Sequence, residues 1–313
     1  MTVTNDGPLR VAAIDCGTNS IRLLVADLTA DRLAPVAQRF EVVRLGQGLD
    51  HSGMLTTTAR ARARRVLSDY ATVCTELGAV RRRMCMTWVL RNARNGGDFL
   101  AEVADLLGTR PEIIDGAEEA RLAFLGAVRD LPPAPHLVAD IGGGSTQLAL
   151  GTTTPQASVS VELGCVRIAE RYLHQDPPTA DQIATASKAI ADLVDDALAA
   201  LPDTEGASLV GLSEAVTTTA AVALRRAPHR TLVAYRDIAR ATDWLTHSTA
   251  AQRRAHSGIH PRMVDVAAAS ALAVRAVLER TGKDALLVSD HDILHGIAWS
   301  LASGDHHPPL IEG

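Results

Sequence analysis

The sequence predicts an α/β protein made of two similarly organised domains whose loops face each other across a cleft. Three observations carry that expectation. The chain has 313 residues, more than one hydrophobic core usually spans, so two domains of roughly 100–200 residues are the natural prior. Short β-branched segments alternate with stretches of helical periodicity, as α/β chains require. One local pattern also occurs twice: a strand ending in Asp, a turn of glycine and hydroxyl-bearing residues, and a returning strand. The copies are Asp15-Cys16-Gly17-Thr18-Asn19-Ser20 and Asp140-Ile141-Gly142-Gly143-Gly144-Ser145-Thr146.

In the first half, residues 11–14 and 21–26 are short, apolar and β-branched, which predicts a strand, a tight turn and a returning strand. A third strand is expected over 40–45, before the loop Gly46-Gln47-Gly48. Val66, Leu67, Tyr70, Val73 and Leu77 recur at helical spacing and predict an amphipathic helix over 57–77. Another helix fits 98–107, followed by a strand at 112–114, a turn at Asp115-Gly116 and a helix over 117–128. Leu131-Pro132-Pro133-Ala134-Pro135 then stops any helix and marks a boundary, giving domains 1–132 and 133–313.

The second half starts as the first did, with a strand at 136–141, the Gly142-Gly143-Gly144 turn and a strand at 147–150. Thr179-Ala180-Asp181-Gln182 fits a capping box that opens an Ala-rich helix to about 201. A strand at 208–212 runs into a helix start at Thr217-Thr218-Thr219. Residues 264–280 predict an amphipathic helix, 285–288 a buried strand, 293–301 a closing helix and 304–313 a frayed tail.

Composition narrows the function classes. Apolar residues make up 47% and charged residues 21%, the balance of a globular protein and not of a disordered one. With aromatics at 3%, the core must be built from Ala, Val, Leu and Ile. A net charge of −5 argues against a general nucleic-acid binder, so an anionic ligand must be held by a local cluster of donors. Cys16, Cys74, Cys85 and Cys165 form no CxxC pair, which predicts buried free thiols and neither a zinc site nor a disulfide framework. Residues 1–10 carry no apolar leader core and no stretch is long enough to cross a bilayer, so a cytoplasmic location is expected.

The repeated turns carry the chemistry. A strand ending in Asp places a carboxylate at the sheet edge, where it can hold a divalent cation, often through water. The glycines let backbone N–H groups converge on phosphate oxygens, and Thr18, Asn19, Ser20, Ser145 and Thr146 add short polar donors. One such turn is equally an ordinary capped hairpin; two, heading the two halves, point to a phosphate chain gripped from both sides. No Gly-Lys-Ser/Thr and no GxGxxG follows, which excludes a Walker loop and argues against a Rossmann site. Glu118 and Glu119 sit in a predicted first helical turn, a place the macrodipole favours whatever their role. A carboxylate there can also orient or deprotonate a water attacking phosphorus.

Other clusters are less informative. Arg60, Arg62, Arg64 and Arg65, with Arg81-Arg82-Arg83, read as a solvated face and loop, with steering of a polyanion as the alternative. His291 and His295 are four apart but lack a third ligand at a fixed spacing, which predicts no metal site. No GxSxG elbow supports a hydrolase triad.

Six segments, in order, sharpen the reading: Ala13-Ile14-Asp15-Cys16-Gly17-Thr18-Asn19-Ser20-Ile21-Arg22-Leu23-Leu24, Val43-Arg44-Leu45-Gly46-Gln47-Gly48, Gly116-Ala117-Glu118-Glu119-Ala120-Arg121-Leu122, Ala139-Asp140-Ile141-Gly142-Gly143-Gly144-Ser145-Thr146, Gly164-Cys165-Val166-Arg167 and Val288-Ser289-Asp290-His291-Asp292-Ile293-Leu294-His295-Gly296-Ile297. Together they resemble the exopolyphosphatase and guanosine pentaphosphate phosphohydrolase family, nearly end to end and in its short, two-domain form. The resemblance implies two ribonuclease H-like α/β domains, as in sugar kinases and actin-type ATPases, around an interdomain cleft. It implies hydrolysis of inorganic polyphosphate with Mg2+ or another divalent cation, with guanosine pentaphosphate as the alternative substrate, and a homodimer.

Residue by residue, Glu119 matches the family's general base and Asp140 its magnesium-linked carboxylate. Gly142, Gly143, Gly144, Ser145 and Thr146 match the phosphate cradle of the second domain. Asp15, Gly17, Thr18, Asn19, Ser20 and Arg22 match that of the first, and Arg91 an arginine that reaches phosphate. Three departures stand out. Gln147 replaces a Glu at the expected metal position, Trp88 a Ser near Arg91 (with Asn92 for Asp), and Glu214 a glycine of a loop that approaches phosphate. Lost ligand charge, added bulk and added repulsion predict weakened turnover, so a protein that binds polyphosphate or an alarmone without hydrolysing it is the further alternative.

Overall fold

The computed structural model describes residues 7–302. Its strands are β1 (Leu9–Cys16), β2 (Ser20–Leu28), β3 (Leu33–Val42), β4 (Arg81–Met86), β5 (Glu112–Ile113), β6 (His136–Ile141), β7 (Thr146–Gly151), β8 (Pro155–Val161), β9 (Ser208–Leu212), β10 (Thr231–Ala234) and β11 (Ala285–Val288). One sheet has the order β3-β2-β1-β4-β5 and the other β10-β11-β9-β6-β7-β8. The duplication expected from the two turns extends to the whole sheet plan. In each, two antiparallel hairpins are followed by parallel additions: β3-β2-β1 then β4 and β5, and β8-β7-β6 then β9 and β11. β10 adds an antiparallel edge to the second copy. The result is the paired α/β plan implied by the resemblance.

The sheets are covered in layers. The helix Thr57–Glu76 packs its Ala59, Ala63, Leu67 and Tyr70 against the outer face of the first sheet, and the helix Ala267–Thr281 anchors the core of the second. A third core lies between the sheets, where the helices Gly116–Val128 and Ile293–Ser300 meet side chains from β1, β2, β6 and β9. The two helices touch backbone to backbone. A Cβ on Gly126 would collide with the Asp292 carbonyl, and one on Gly296 with that of Leu122. The helix Ile293–Ser300 is thereby seated on the first domain, and this fixes Asp292 at its start.

Side-chain caps open several of the helices. Thr179 and Gln182 form the expected capping box, Thr56 caps the helix Thr57–Glu76, and Asp115 accepts from the Glu118 N–H. Several expectations need correction. The third strand runs over Leu33–Val42 instead of 40–45, because it is a half-exposed edge strand whose alternation is weak. The helix after β9 begins at Ser213, ahead of the threonines. The helix expected from 264 starts at Ala267, after a tight turn at Pro261–Met263. Arg81-Arg82-Arg83 belongs to β4, beside β1, and is no solvated loop. Arg83 is only 3% exposed, held by Glu112, Glu118 and the Ser300 hydroxyl. Arg60 is paired with Glu102 and Arg62 donates to the Val43 carbonyl, so neither is free to steer an anion.

The four cysteines are buried free thiols, as expected. No helix among the described residues is long and apolar enough to cross a membrane. The tail expected at 304–313 lies outside the described residues.

Candidate active site

The two turns close in the same way. Gly17 N–H donates to the Ser20 carbonyl and Gly142 N–H to the Ser145 carbonyl, each at 2.9 Å. They meet face to face: a Cβ on Gly144 would lie 2.5 Å from Thr18 Oγ1, so a side chain there would force the turns apart, and one on Gly143 would lie 3.2 Å from Thr18 Cβ. Between them is a crevice of about 60 Å3, lined by Asp15, Gly17, Thr18, Asn19, Ser20, Arg22, Glu119, Asp140, Gly142, Gly143, Gly144, Ser145 and Gln147. Thr146 and Arg91 stand behind this wall. The Thr146 hydroxyl donates to the Leu163 carbonyl at 2.6 Å, tying the turn to the loop beneath it.

Of the two acids in the first turn of the helix Gly116–Val128, only Glu119 faces the crevice. Glu118 turns away to Arg83 and Arg121. Arg91 Nη1 donates to Glu119 Oε2 at 2.9 Å and to the Ile114 carbonyl at 2.6 Å, so it holds the acid where it had been expected to hold phosphate. Burial pushes the Glu119 carboxyl up to about 7, Arg91 pulls it down, and Asp15 adds to the rise. A carboxylate tuned to that range is suited to take a proton from water near neutral pH.

Arg22 is the hub of the crevice. Its Nη2 donates to Asp15 Oδ2 at 2.8 Å, and its Nη1 reaches Asp292 and, at 3.5 Å, Glu214 Oε1. Burial alone would raise the Asp292 carboxyl, but Arg22, His295 and the Leu294 N–H hold it well below the usual carboxylate range. Asp15 stays above that range, because its burial outweighs the same guanidinium. Asp140 is raised well above it too, by burial against Arg22 and by the charges of Asp292, Glu119 and Asp15.

Four carboxylates and one guanidinium line the crevice: Asp15, Glu119, Asp140 and Glu214 against Arg22. Asp15 Oδ1 is buried without a hydrogen-bond partner. An orphaned carboxylate oxygen amid excess negative charge fits a hard divalent cation, which oxygen ligands suit. The same excess would repel a bare phosphate chain.

The three departures land differently. Gln147 lines the crevice, its amide nitrogen donating to the Ser145 and Ser160 hydroxyls at 2.9 and 3.0 Å, which leaves its amide oxygen as the remaining ligand atom. Glu214 enters the crevice as the sequence comparison implied, and burial raises its carboxyl against Arg22. It follows Ser213, whose φ of 85° is strained for a residue with a Cβ. Trp88 adds no bulk inside. It packs on Gly144 and under the Arg167 guanidinium, 4.6 Å from the ring centroid, sealing the edge of the cleft.

Two groups of site residues escaped the sequence reading. Asp292 had been quoted only within a motif; its signal was its place at a helix start, where its side chain accepts from the Leu294 N–H. The other is a latch between domains. Asp50 receives Arg167 Nε at 2.9 Å and Arg171 Nη2 at 2.6 Å, while across the cleft Arg44 pairs with Asp265 at 2.5 Å and Glu41 with Arg262.

This architecture matches known proteins along almost its whole length. The sequence pattern of the Ppx/GppA phosphatase family covers residues 24–304. The chain belongs to that family. Exopolyphosphatase 2 of Mycobacterium tuberculosis is 43% identical over 314 residues, covering 94% of this chain and 98% of its own. Among solved structures, an exopolyphosphatase-like protein superposes with a TM-score of 0.90 at 35% identity, over 95% of this chain and 98% of the other. An exopolyphosphatase from Cytophaga hutchinsonii gives 0.85 at 25% identity, over 94% and 98%. In this Ppx/GppA phosphatase the facing glycine turns enclose buried acids, and Glu119 and Asp140 both line the crevice between them.

Proposed function

We propose that this Ppx/GppA phosphatase hydrolyses inorganic polyphosphate from its end, releasing the terminal phosphate in the crevice between the two turns. The observation that carries the reading is the convergence of Asp15, Asp140 and a Glu119 raised to about 7 on the abutting loops. The named relatives support the substrate class. The backbone N–H groups of the turns and the hydroxyls of Thr18, Ser20 and Ser145 would orient the terminal phosphoryl group. Glu119 would accept a proton from a water placed in line with the scissile P–O bond. The bond breaks toward the shortened chain, and no covalent enzyme intermediate is needed. Asp140, Asp15 and the Gln147 amide oxygen are the residues that would hold Mg2+, which when bound supplies positive charge to the phosphate oxygens.

A crevice of about 60 Å3 has room for a few waters, so a phosphate chain enters only when the domains part. The decisive experiment is phosphate release from polyphosphate with Mg2+, by the natural chain and by Glu119→Ala. Release that the substitution abolishes is expected; equal release from both would remove Glu119 from the reaction. One observation favours a second reading, binding without turnover: Arg22 is committed to three carboxylates, Glu214 among them. That reading wins if the natural chain releases no phosphate while polyphosphate still raises its thermal stability.

A further inference from the structure

A second cluster lies outside the cleft, at the end of the strand pair β10 and β11. These strands are antiparallel with Thr231 opposite Val288, and the same register carried beyond their ends sets His229 opposite Asp290. His229 Nδ1 faces the Asp290 carboxylate. The imidazole of His291 lies beside that of His229, with ring centroids 5.3 Å apart. One ligand atom from each of His229, Asp290 and His291 lies within 4.8 Å of the other two.

We propose that His229, Asp290 and His291 form a binding site for a transition-metal cation of the Zn2+ class, separate from the phosphate cleft. Two imidazoles and one carboxylate are the donor set such borderline cations select, whereas Mg2+ prefers oxygen alone. His229 and Asp290 are exposed, so the cation can arrive from solvent and keep a water. Asp130 lies 3.2 Å from His291 Nδ1 and is itself held by Arg230 at 3.0 Å. A carboxylate behind an imidazole is the arrangement that orients metal-ligating histidines.

The site connects to the cleft by a short path. His291 stacks on His295 with centroids 4.2 Å apart, and His295 Nδ1 accepts the Asp292 N–H at 3.3 Å. Asp292 in turn binds Arg22. A cation on His291 would therefore fix the loop that carries Asp292, the partner of Arg22. His291 finds its fellow ligand not in His295 but in His229, in the turn before β10, where no sequence spacing could show it.

The test is calorimetric titration with ZnCl2 alone, on the natural protein, His229→Ala, His291→Ala and Asp140→Asn. The natural protein and Asp140→Asn should bind Zn2+ alike, and each histidine variant should bind at least about tenfold more weakly. Absence of binding by the natural protein at millimolar Zn2+ would overturn the proposal. So would binding that the histidine variants keep and Asp140→Asn loses, since the cleft would then be the site. A measurement on the unsubstituted protein guards against variants that fail to fold: Zn2+ should shield His229 and His291 from acylation by diethyl pyrocarbonate, read by mass spectrometry. Unchanged labelling of both rings would sink the idea.

Discussion

Arg91 Nη1 bridges the Ile114 carbonyl at 2.6 Å and Glu119 Oε2 at 2.9 Å, so one guanidinium sets both the position and the acidity of the candidate base. Burial raises Glu119 and Arg91 lowers it. Removing the guanidinium leaves burial unopposed. In Arg91→Met the acidic limb of the kcat/KM profile should therefore move to higher pH than the natural limb near 7, with the rate at high pH partly retained. A limb that stays in place would show that Arg91 does not tune Glu119.

Glu119→Gln keeps the size of the side chain and a hydrogen bond for Arg91 while removing the proton acceptor. The two facing turns are untouched. Turnover should fall about 10²–10⁴-fold with KM little changed, and the acidic limb should vanish from what remains. Steady-state phosphate release across pH measures both. A fall in affinity with kcat unchanged would recast Glu119 as a binding residue.

Gln147 is placed to accept replacement by the charged residue. Its partners, the Ser145 and Ser160 hydroxyls, can donate to a carboxylate as readily as they accept from an amide. Gln147→Glu should lower the Mg2+ concentration for half-maximal phosphate release, by about tenfold if the new oxygen becomes a ligand. Titration of the rate with Mg2+ decides it. Unaltered metal dependence would place the cation elsewhere in the crevice.

The parts of the site that were legible in the sequence are the contiguous ones. Glycine and Asp at a strand end dictate a turn from their own covalent structure, so both loops, and the duplication they head, could be read directly. Glu119 was legible through its motif, although spacing alone could not separate it from Glu118. What stayed hidden depends on partners distant in the chain. Arg83 looks solvated until Glu112, Glu118 and Ser300 are folded around it. Trp88 looks like an obstruction until Gly144 and Arg167 are seen to bracket it. β3 was misplaced because four of its ten residues are exposed and none is fully buried, which dilutes the apolar alternation.

The latch between domains gives a prediction about opening. Asp50 is mostly buried and holds Arg167, whose side chain is only 5% exposed, together with Arg171. Asp50→Asn would leave Arg167 with Glu162 and backbone oxygens, a loss of about 1–3 kcal/mol for a charge-assisted pair. Urea denaturation should register it, and small-angle scattering should show a more open average shape. Asp243→Asn, which breaks a solvent-facing pair with Arg275, should change little. Equal effects from the two substitutions would mean that the latch is no more than surface charge.

The crowded acids also make stability depend on pH and metal together. Asp15, Glu119, Asp140 and Glu214 all titrate above their ordinary range in the folded protein. Between the unfolded and folded pKa of such a group the native state holds the extra proton, so stability falls as pH rises through that window. For Glu119 the window runs from 4.5 to about 7. Asp292 acts in the opposite sense, but its folded pKa lies below the usual range, so its contribution is lost only in stronger acid. A divalent cation held by these carboxylates, as proposed, would replace those protons once the groups ionise. The rise in melting temperature on adding Mg2+ should therefore be larger at about pH 8 than at about pH 5, and in Asp140→Asn the difference between the two should shrink. An equal rise at both pH values would mean that Mg2+ does not bind the acids of this crevice.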